Sequence, residues 1–371
     1  DGEIFTIGKI KIKTLHTPGH TMESTSYLLI DENGIESALF SGDTLFIGDV
    51  GRPDLAQKGA LTQDDLAGML YESLRNKIMP LNDNVIVYPA HGAGSACGKN
   101  MSKETSDLLG NQKKTNYALR ADMTKQEFIS EVTDGLLPPP QYFAQNVAMN
   151  KSGAKGLEEV LAKGNIGLNV ETFEAIANHE GALVLDTRTP KEFIDGHIPN
   201  SIFIGIDGSF APWVGALITD LKQPIIFIAP DDRSEEVVTR LSRVGYDNTL
   251  GYLNGGIDSW KAANKEIEKI ESINAEILVS KYKDDAISIL DVRKESEFNL
   301  GHIKNATNFP LDFINDNMHQ LSKEKFYHVH CAGGYRSVIA ISILKSRGID
   351  NVIDVAGGYK AINETDIPKV I

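Results

Sequence analysis

One short segment of the chain combines a thiol, two adjacent glycines and an arginine, in the order His330-Cys-Ala-Gly-Gly-Tyr-Arg-Ser337. A strand-like run precedes it at 326–330, and an apolar helical pattern follows it at 337–344. A loop between a strand and a helix N-terminus turns successive backbone N–H groups inward and forms a nest for an anion. Such a nest favours the thiolate, which is the nucleophilic form of cysteine. The sequence therefore predicts that Cys331 attacks a sulfur atom that carries an anionic leaving group.

The neighbours of Cys331 complete this predicted site. Arg336 would add a forked positive charge for an oxyanion, so we predict that it is catalytic together with Cys331. The residues predicted to bind the substrate are Ala332, Gly333, Gly334 and Tyr335. An inert buried cysteine is the alternative interpretation. The glycine pair and the arginine so close to the thiol favour the functional one.

Composition limits the compartment and the partners. The chain has 371 residues, enough for two or three domains, and a net charge of −14, which argues against nucleic acid and anionic membranes as partners. Its two cysteines, Cys97 and Cys331, exclude a disulfide framework, so we expect a reducing, cytoplasmic location. No apolar run is long enough to span a membrane. The oligomeric state is open, a homo-oligomer included.

Histidine or aspartate follows three strand-like runs in the first part of the chain. The motifs are Pro18-Gly-His-Thr21, Gly42-Asp43 and Pro89-Ala-His91-Gly92. Side chains at the ends of neighbouring strands converge at one edge of a sheet, which is how a rigid metal site is built. The pattern also predicts a hairpin around 31–34 and a capped helix over 61–78.

These three motifs resemble the second, third and fourth metal motifs of the metallo-β-lactamase superfamily. Gly51-Arg-Pro-Asp54 resembles its persulfide dioxygenase branch. The resemblance implies one Fe(II) held by His20, Asp43 and an upstream histidine, with zinc as the alternative metal. It places His91 near the metal, where dinuclear members have a second-site ligand. It also implies that Arg52 binds an acidic group of a thiol carrier.

Two further expectations concern this first part of the chain. The superfamily's first metal motif, His-x-His-x-Asp-His, has no counterpart here, so we expect either an N-terminally incomplete piece of a longer protein or a missing half that is supplied otherwise. Cys97 lies shortly after His91, and a loop at the end of a strand could bring its thiol near the metal. We therefore weigh a role for Cys97 in handling persulfide against an inert thiol.

The remainder of the chain repeats itself. Leu185-Asp-Thr-Arg188 and Gly196-His-Ile198 recur 105 residues later as Leu290-Asp-Val-Arg293 and Gly301-His-Ile303. Both copies resemble rhodanese domains, and Cys331 falls at the sulfur-carrying position of that family. In the first copy Ile228 occupies the corresponding position, which excludes sulfur transfer there. Outside the loop, the repeated signature is interpreted as holding the fold together.

The predicted fold class is therefore α/β: a partial metallo-β-lactamase αββα-type domain followed by two tandem rhodanese-like domains with parallel sheets. The predicted boundaries are 1–162 for the first domain with a helical linker, 163–270 for the first copy and 271–371 for the second copy.

The resemblance implies sulfide or persulfide metabolism, including sulfide detoxification. An iron persulfide dioxygenase would convert persulfide and O₂ to sulfite, and a Cys331 persulfide would exchange sulfur between thiosulfate and sulfite. The expected small-molecule partners are a low-molecular-weight thiol persulfide, thiosulfate, sulfite and O₂. Two alternatives are a dinuclear zinc hydrolase like glyoxalase II fused to a sulfur carrier, and a non-catalytic sulfur-relay scaffold.

Overall fold

The computed structural model describes most of the chain, in two compact units, Asp1–Ala144 and Gln145–Ile371. The described residues are 1–55, 61–92, 95, 97–99, 101–136, 143, 149, 153, 156–284 and 287–370. Within these ranges, no helix has both the length and the apolar character needed to cross a membrane. Three consecutive prolines at 138–140, in the predicted helical linker, lie outside the described residues.

The first unit is built on a six-stranded sheet with the order β1-β2-β3-β4-β7-β8. Its strands, with the small β5–β6 pair, are β1 Ile4–Ile7, β2 Ile10–His16, β3 Thr25–Ile30, β4 Glu36–Gly42, β5 Leu45–Phe46, β6 Asp49–Val50, β7 Ile86–Pro89 and β8 Asp107–Leu108. Strands β4 and β7 are parallel, and the other neighbours are antiparallel. The β3–β4 pair confirms the hairpin predicted around 31–34.

Helices cover one face of this sheet. They are Gln63–Ser73, continued as a π turn over Leu74–Ile78, then Leu109–Thr115, the 3₁₀ turn Tyr117–Leu119 and Lys125–Thr133. Thr62 and Asp65 form the predicted capping box at the first helix. Alternate strand residues and the inward side chains of these helices form the core, which includes Leu28, Leu39, Val87, Leu70, Leu74 and Phe128.

The first copy in the second unit folds around a five-stranded parallel sheet with the order β11-β10-β12-β13-β9. Its strands are β9 Gly167–Leu168, β10 Leu183–Asp186, β11 Ile202–Phe203, β12 Ile225–Ile228 and β13 Thr249–Leu253. Its helices are Leu157–Gly164, Val170–His179, Pro190–Asp195, Phe210–Leu217, Ser234–Ser242 and Gly256–Ala262. The predicted boundary at 162 falls inside the helix Leu157–Gly164. A side chain on Gly164 would overlap Thr249, so this helix packs directly on the first copy.

The second copy repeats this plan with the parallel order β14-β19-β18-β15-β17. Its strands are β14 Ser272–Ile273, β15 Ser288–Asp291, β16 His302–Ile303, β17 Thr307–Asn308, β18 Tyr327–His330, β19 Val352–Val355 and β20 Lys369–Val370, with β16 and β20 forming a separate antiparallel pair. Its helices are Ala275–Asp284, Glu295–Asn299, Ile314–Asn317, Tyr335–Ser346 and Gly358–Asn363, with 3₁₀ turns at Leu311–Phe313 and Met318–Gln320. Two parallel sheets with helices confirm the predicted fold class of both copies.

The repeated signature anchors the same loop in both copies. Arg293 donates to both oxygens of Asp291, at 2.9 and 2.6 Å, and to the carbonyl of Gly301 at 2.8 Å. The first copy has the same buried arrangement among its counterpart residues. The His302 ring stacks on Phe298 with centroids 3.7 Å apart. These contacts are internal to each copy, which supports a structural role for the signature.

Candidate functional site

Cys331 lies in the turn between strand β18 and the helix Tyr335–Ser346. Gly334 has a φ of 101°, in the left-handed region that glycine favours. Its backbone N–H donates to Cys331 Sγ with 3.1 Å between N and S. The thiol is almost fully buried, because Cys331 is 1% exposed. The helix N-terminus therefore directs one backbone N–H at the sulfur, and a nest of several N–H groups stays a prediction.

Backbone contacts hold the Cys331 loop at Tyr359 and Gly358, and part of the loop is exposed. Tyr359 N–H donates to the Cys331 carbonyl at 2.6 Å, and a side chain on Gly358 would overlap that carbonyl. Ala332 and Gly333 are exposed on the other side. The exposed backbone of Ala332 and Gly333 is accessible to a substrate, and the binding roles of these two residues stay predictions.

Arg336 directs its guanidinium at Glu297. Its Nη1 and Nη2 donate to the two carboxylate oxygens at 2.6 and 2.8 Å. These hydrogen bonds lower the pKa of Glu297 and raise the pKa of Arg336. Because a bidentate carboxylate offsets the charge of the fork, Arg336 attracts a substrate anion less than a free arginine would. The sequence pattern did not predict this contact between Arg336 and Glu297, because the two residues lie far apart in the chain.

Tyr335 connects the loop to the first copy. Its hydroxyl donates to the carbonyl of Gly205 at 2.7 Å, and its ring meets Phe203 edge-on with centroids 5.8 Å apart. A side chain on Gly208 would overlap the ring. Burial, with a smaller effect from Asp207, raises the pKa of Tyr335. The side chain predicted to bind substrate is therefore engaged in the contact between the copies.

The corresponding loop of the first copy has no thiol. Ile228 is fully buried at the end of strand β12. Arg233 donates to Asp207 and to Glu236, each at 2.7 Å. Asp232 has a φ of 57°, so the loop also follows a different backbone path. The structure gives this loop ion pairs in place of a nucleophile.

In the first unit, the parallel pairing of β4 and β7 brings two predicted metal-site residues together. Gly42 pairs with Pro89, so Asp43 and His91 leave the sheet side by side. His91 Nε2 lies 3.2 Å from Asp43 Oδ1. A ligand atom of Cys97 joins them, and all three lie within 4.8 Å of one another. Asp43 and His91 therefore lie together at one sheet edge, with the Cys97 thiol beside them.

His20 is positioned beside this cluster. Its Nδ1 is bonded to the carbonyl of Arg52 at 2.9 Å, which makes Nδ1 the donor and leaves Nε2 as the free lone pair. Metal-binding histidines commonly have this arrangement. Burial lowers the pKa of His20, while Asp43 opposes the shift. The neutral imidazole, the form that binds metals, is therefore favoured.

The segment 51–54, which resembles the dioxygenase branch, contacts the cluster of Asp43, His91 and Cys97. Arg52 is 6% exposed and bonds both oxygens of Asp54, at 2.9 and 2.6 Å. Its backbone N–H donates to the carbonyl of Cys97 at 3.0 Å. A side chain on Gly51 would overlap the backbone of Asp43. Arg52 thus has structural contacts on both its side chain and backbone, and binding of a thiol carrier stays a prediction.

The donor atoms fit a divalent metal. Asp43 Oδ1 is buried and has no hydrogen bond among the described residues. Two imidazoles and a carboxylate are ligands for iron and for zinc alike. Burial is the main cause that raises the pKa of Cys97, and nearby Asp43 adds to it, so its thiol is held neutral. The ligand atoms that lie together belong to Asp43, His91 and Cys97, and the nearby His20 is a further residue that could hold the ion.

Known proteins of two kinds resemble this chain. A family model described as the rhodanese-like domain matches residues 169–263 and 274–365. A hydroxyacylglutathione hydrolase of Dictyostelium discoideum is 42% identical over 93 residues, covering 24% of this chain and 31% of that protein. The mitochondrial persulfide dioxygenase ETHE1 of Mus musculus is 30% identical over 141 residues, covering 38% of this chain and 47% of that protein.

A solved structure extends the comparison. The metallo-beta-lactamase from Staphylococcus aureus subsp. aureus COL matches with a TM-score of 0.56 and 30% identity, and the match covers 68% of each chain. The chain spans less than half the length of the curated relatives named above. The chain belongs to the rhodanese-like family and joins a metallo-β-lactamase-type domain to two rhodanese-like domains.

Proposed function

We propose that this chain works in sulfur metabolism as a thiosulfate sulfurtransferase joined to a persulfide dioxygenase. The observation that carries the proposal is the Cys331 thiol, buried beneath a helix N-terminus and in contact with the Gly334 N–H. The first copy, with Ile228 at that position, cannot form a persulfide. Similarity to a persulfide dioxygenase and to a metallo-beta-lactamase supports the oxidative half of the proposal.

For the sulfurtransferase, the Cys331 thiolate attacks the outer sulfur of thiosulfate. A bond forms between Sγ and that sulfur, and sulfite leaves with the electron pair of the broken S–S bond. The Gly334 N–H, 3.1 Å from Sγ, stabilises the charge on the cysteine sulfur. The persulfide then passes its outer sulfur to an acceptor thiol or to sulfite.

For the dioxygenase, His20 and Asp43 would hold one Fe(II), and iron supplies the redox chemistry that O₂ requires. The Arg52 carbonyl fixes the His20 ring through Nδ1. Cys97 lies beside Asp43 with its thiol neutral, so a role in handling persulfide would require its thiol to ionise and is weighed against an inert thiol. The products would be sulfite and the free thiol, so the first site would make a substrate for the second.

Two measurements test this proposal. Turnover of thiosulfate with an acceptor thiol should disappear in Cys331→Ser and persist in Cys97→Ser. Persistent turnover in Cys331→Ser would refute the nucleophile and favour a non-catalytic relay scaffold. In a protein that also contains the upstream histidine, elemental analysis after aerobic purification should show about one iron and little zinc per chain, nearly unchanged by His91→Ala.

A dinuclear zinc hydrolase is the second candidate for the first unit. The 3.2 Å approach of His91 Nε2 to Asp43 Oδ1 favours it, since a carboxylate between two histidines suits a pair of ions. Similarity to a hydroxyacylglutathione hydrolase also supports it. Two zinc ions per chain, with one or both lost in His91→Ala, would establish this candidate over the iron enzyme.

A further inference from the structure

A line of buried polar side chains leads from the Cys331 sulfur into the second copy. Ser337 Oγ lies 3.7 Å from Sγ and donates to Asp354 Oδ1 at 2.9 Å. The other carboxylate oxygen accepts from Ser272 at 2.9 Å. Cys331, Ser337 and Asp354 are 1%, 0% and 2% exposed. One hydroxyl therefore links the thiol to a carboxylate out of contact with water.

The charges in this region do not favour a thiolate and a carboxylate together. Two negative charges joined through one hydroxyl repel strongly where water cannot screen them. Arg336 does not offset both, because its guanidinium is paired with Glu297. Burial raises the pKa of Asp354, against the opposing effect of the two serine hydrogen bonds. A carboxyl group in this state can accept a proton when the thiol ionises.

The first copy provides an internal comparison. Ser272 pairs with Asp354 across strands β14 and β19, and the corresponding pair across β9 and β13 is Gly167 with Tyr252. The first copy thus lacks both the carboxylate and its second serine, and it also lacks the thiol, with Ile228 in that position. It retains the buried Asp-x-Arg anchor. The first copy therefore lacks the carboxylate together with the thiol, whereas it keeps the buried Asp-x-Arg anchor.

From this geometry we propose that Ser337 and Asp354 form a proton relay for Cys331, as an extension of the sulfurtransferase function proposed above. The S–H proton moves to Ser337 Oγ while the Ser337 proton moves to Asp354 Oδ1. The sulfur keeps its electron pair, nothing is oxidised, and the buried region carries one negative charge before and after. Ser337 touches the reacting sulfur and is catalytic, whereas Asp354 acts through it as a positioning residue. The proton stays on Asp354 until the thiol is restored.

The rate of alkylation of Cys331 by iodoacetamide tests the relay without requiring turnover. Mass spectrometry of the peptide that contains Cys331 separates its reaction from that of Cys97. Because thiol and carboxyl share one proton, the thiolate fraction should change little between about pH 6 and about pH 8. In Asp354→Asn the rate should instead rise about tenfold per pH unit, as for an ordinary thiol. The other titratable groups facing the site are His330, Asp291, Arg336, Glu297 and Asp312.

A second variant and a matched control complete the experiment. Ser337→Ala removes the hydrogen bond to the sulfur and should slow alkylation about tenfold at neutral pH. Ser234→Ala, at the corresponding position of the first copy, should leave rate and profile unchanged. Thermal unfolding of each variant establishes that the fold is retained.

The outcomes separate the relay from the proposed function. An Asp354→Asn chain that alkylates faster at every pH would show that Asp354 acts only as a fixed negative charge, and would overturn the relay. A wild-type rate that rises about tenfold per pH unit would do the same. A flat wild-type profile without thiosulfate turnover would instead support the relay and refute the sulfurtransferase.

Discussion

The two copies of the rhodanese-like domain share a frame, which consists of the same sheet order and the same buried Asp-x-Arg pair. They differ in the residues of the loop around Cys331. Both have five parallel strands in an equivalent order, and both bury an arginine against the carboxylate two residues before it. At the loop, one has Cys331 and the other Ile228. The shared residues therefore report the fold, and only the few residues around the loop decide whether the domain can carry sulfur.

Positive charge is not what separates the two loops. Arg336 is paired with Glu297 in the second copy, and Arg233 is paired with Asp207 and Glu236 in the first. Each guanidinium is thus engaged by carboxylates of its own copy. The difference between the copies is the thiol with the buried polar residues behind it, and this difference can be tested by substitution.

The largest effect is expected when the thiol is removed or moved. Cys331→Ser should lower the rate of thiosulfate turnover by at least about a thousandfold, because serine is a far weaker nucleophile at this pH. Ile228→Cys in the first copy, tested in the Cys331→Ser background, should not restore turnover, since Tyr252 stands where the second copy has a carboxylate. Restored turnover would show that the shared fold activates a thiol without the carboxylate.

Substitutions in the shared Asp-x-Arg pair should lower the free energy of unfolding equally in both copies. Asp186→Asn and Asp291→Asn each leave a buried arginine without its carboxylate, and we expect a loss of about 3–5 kcal/mol in the free energy of unfolding. Urea denaturation of the two variants measures it. Glu174→Gln, which breaks the partly exposed pair with Lys265, should cost at most about 1 kcal/mol. A large effect in one copy alone would contradict an equal structural role.

The contact between the copies should have an intermediate effect. Gly208→Ala places a methyl group against the Tyr335 ring, whose hydroxyl is held by the Gly205 carbonyl. The ring must move and take the Cys331 loop with it, so we expect kcat for thiosulfate to fall about tenfold, as for a small misplacement of a reacting group. Gly156→Ala, at a glycine with open space around it, is the control. Unchanged kinetics in Gly208→Ala would show that the loop does not depend on the first copy.

The smallest effect concerns the charge of Arg336. Glu297→Gln frees the guanidinium and should lower the KM for thiosulfate about threefold, a gain typical of a partly exposed charge. Glu192→Gln, at the corresponding position of the first copy, should leave KM unchanged, because Glu192 only caps its own helix. A raised KM in Glu297→Gln would mean that Glu297 positions Arg336 for the substrate.

The same ion pair has a defined pH dependence. The pKa of Glu297 lies below its ordinary value of 4.5. The stability from the pair is therefore fully present above pH 4.5 and is lost as the pH falls through the lowered folded-state pKa. The acid-unfolding profile of Glu297→Gln should therefore lack the loss of stability that titration of Glu297 causes in the wild-type chain.

Sequence patterns predicted the local features and missed the distant pairings. The hairpin around 31–34, the Thr62 capping box and the duplicated frame were readable because each depends on neighbouring residues or on self-similarity. The hydrogen bond from Tyr335 to Gly205 joins residues 130 positions apart, and the ion pair of Arg336 with Glu297 joins residues 39 positions apart. Polar groups at such separations leave no periodic signal, so their partners emerge only from the folded chain.

The bond between Tyr335 and the Gly205 carbonyl limits how freely the first copy can diverge. Because the first copy has no nucleophile, we expect substitutions in its loop at 229–232 to leave sulfur transfer unchanged. We expect less freedom at its surface opposite Tyr335, because a side chain at Gly208 would overlap the ring of Tyr335, which follows Cys331 by four residues. Tolerance to mutation should therefore differ between two sides of one domain, with the restricted side facing its catalytic neighbour.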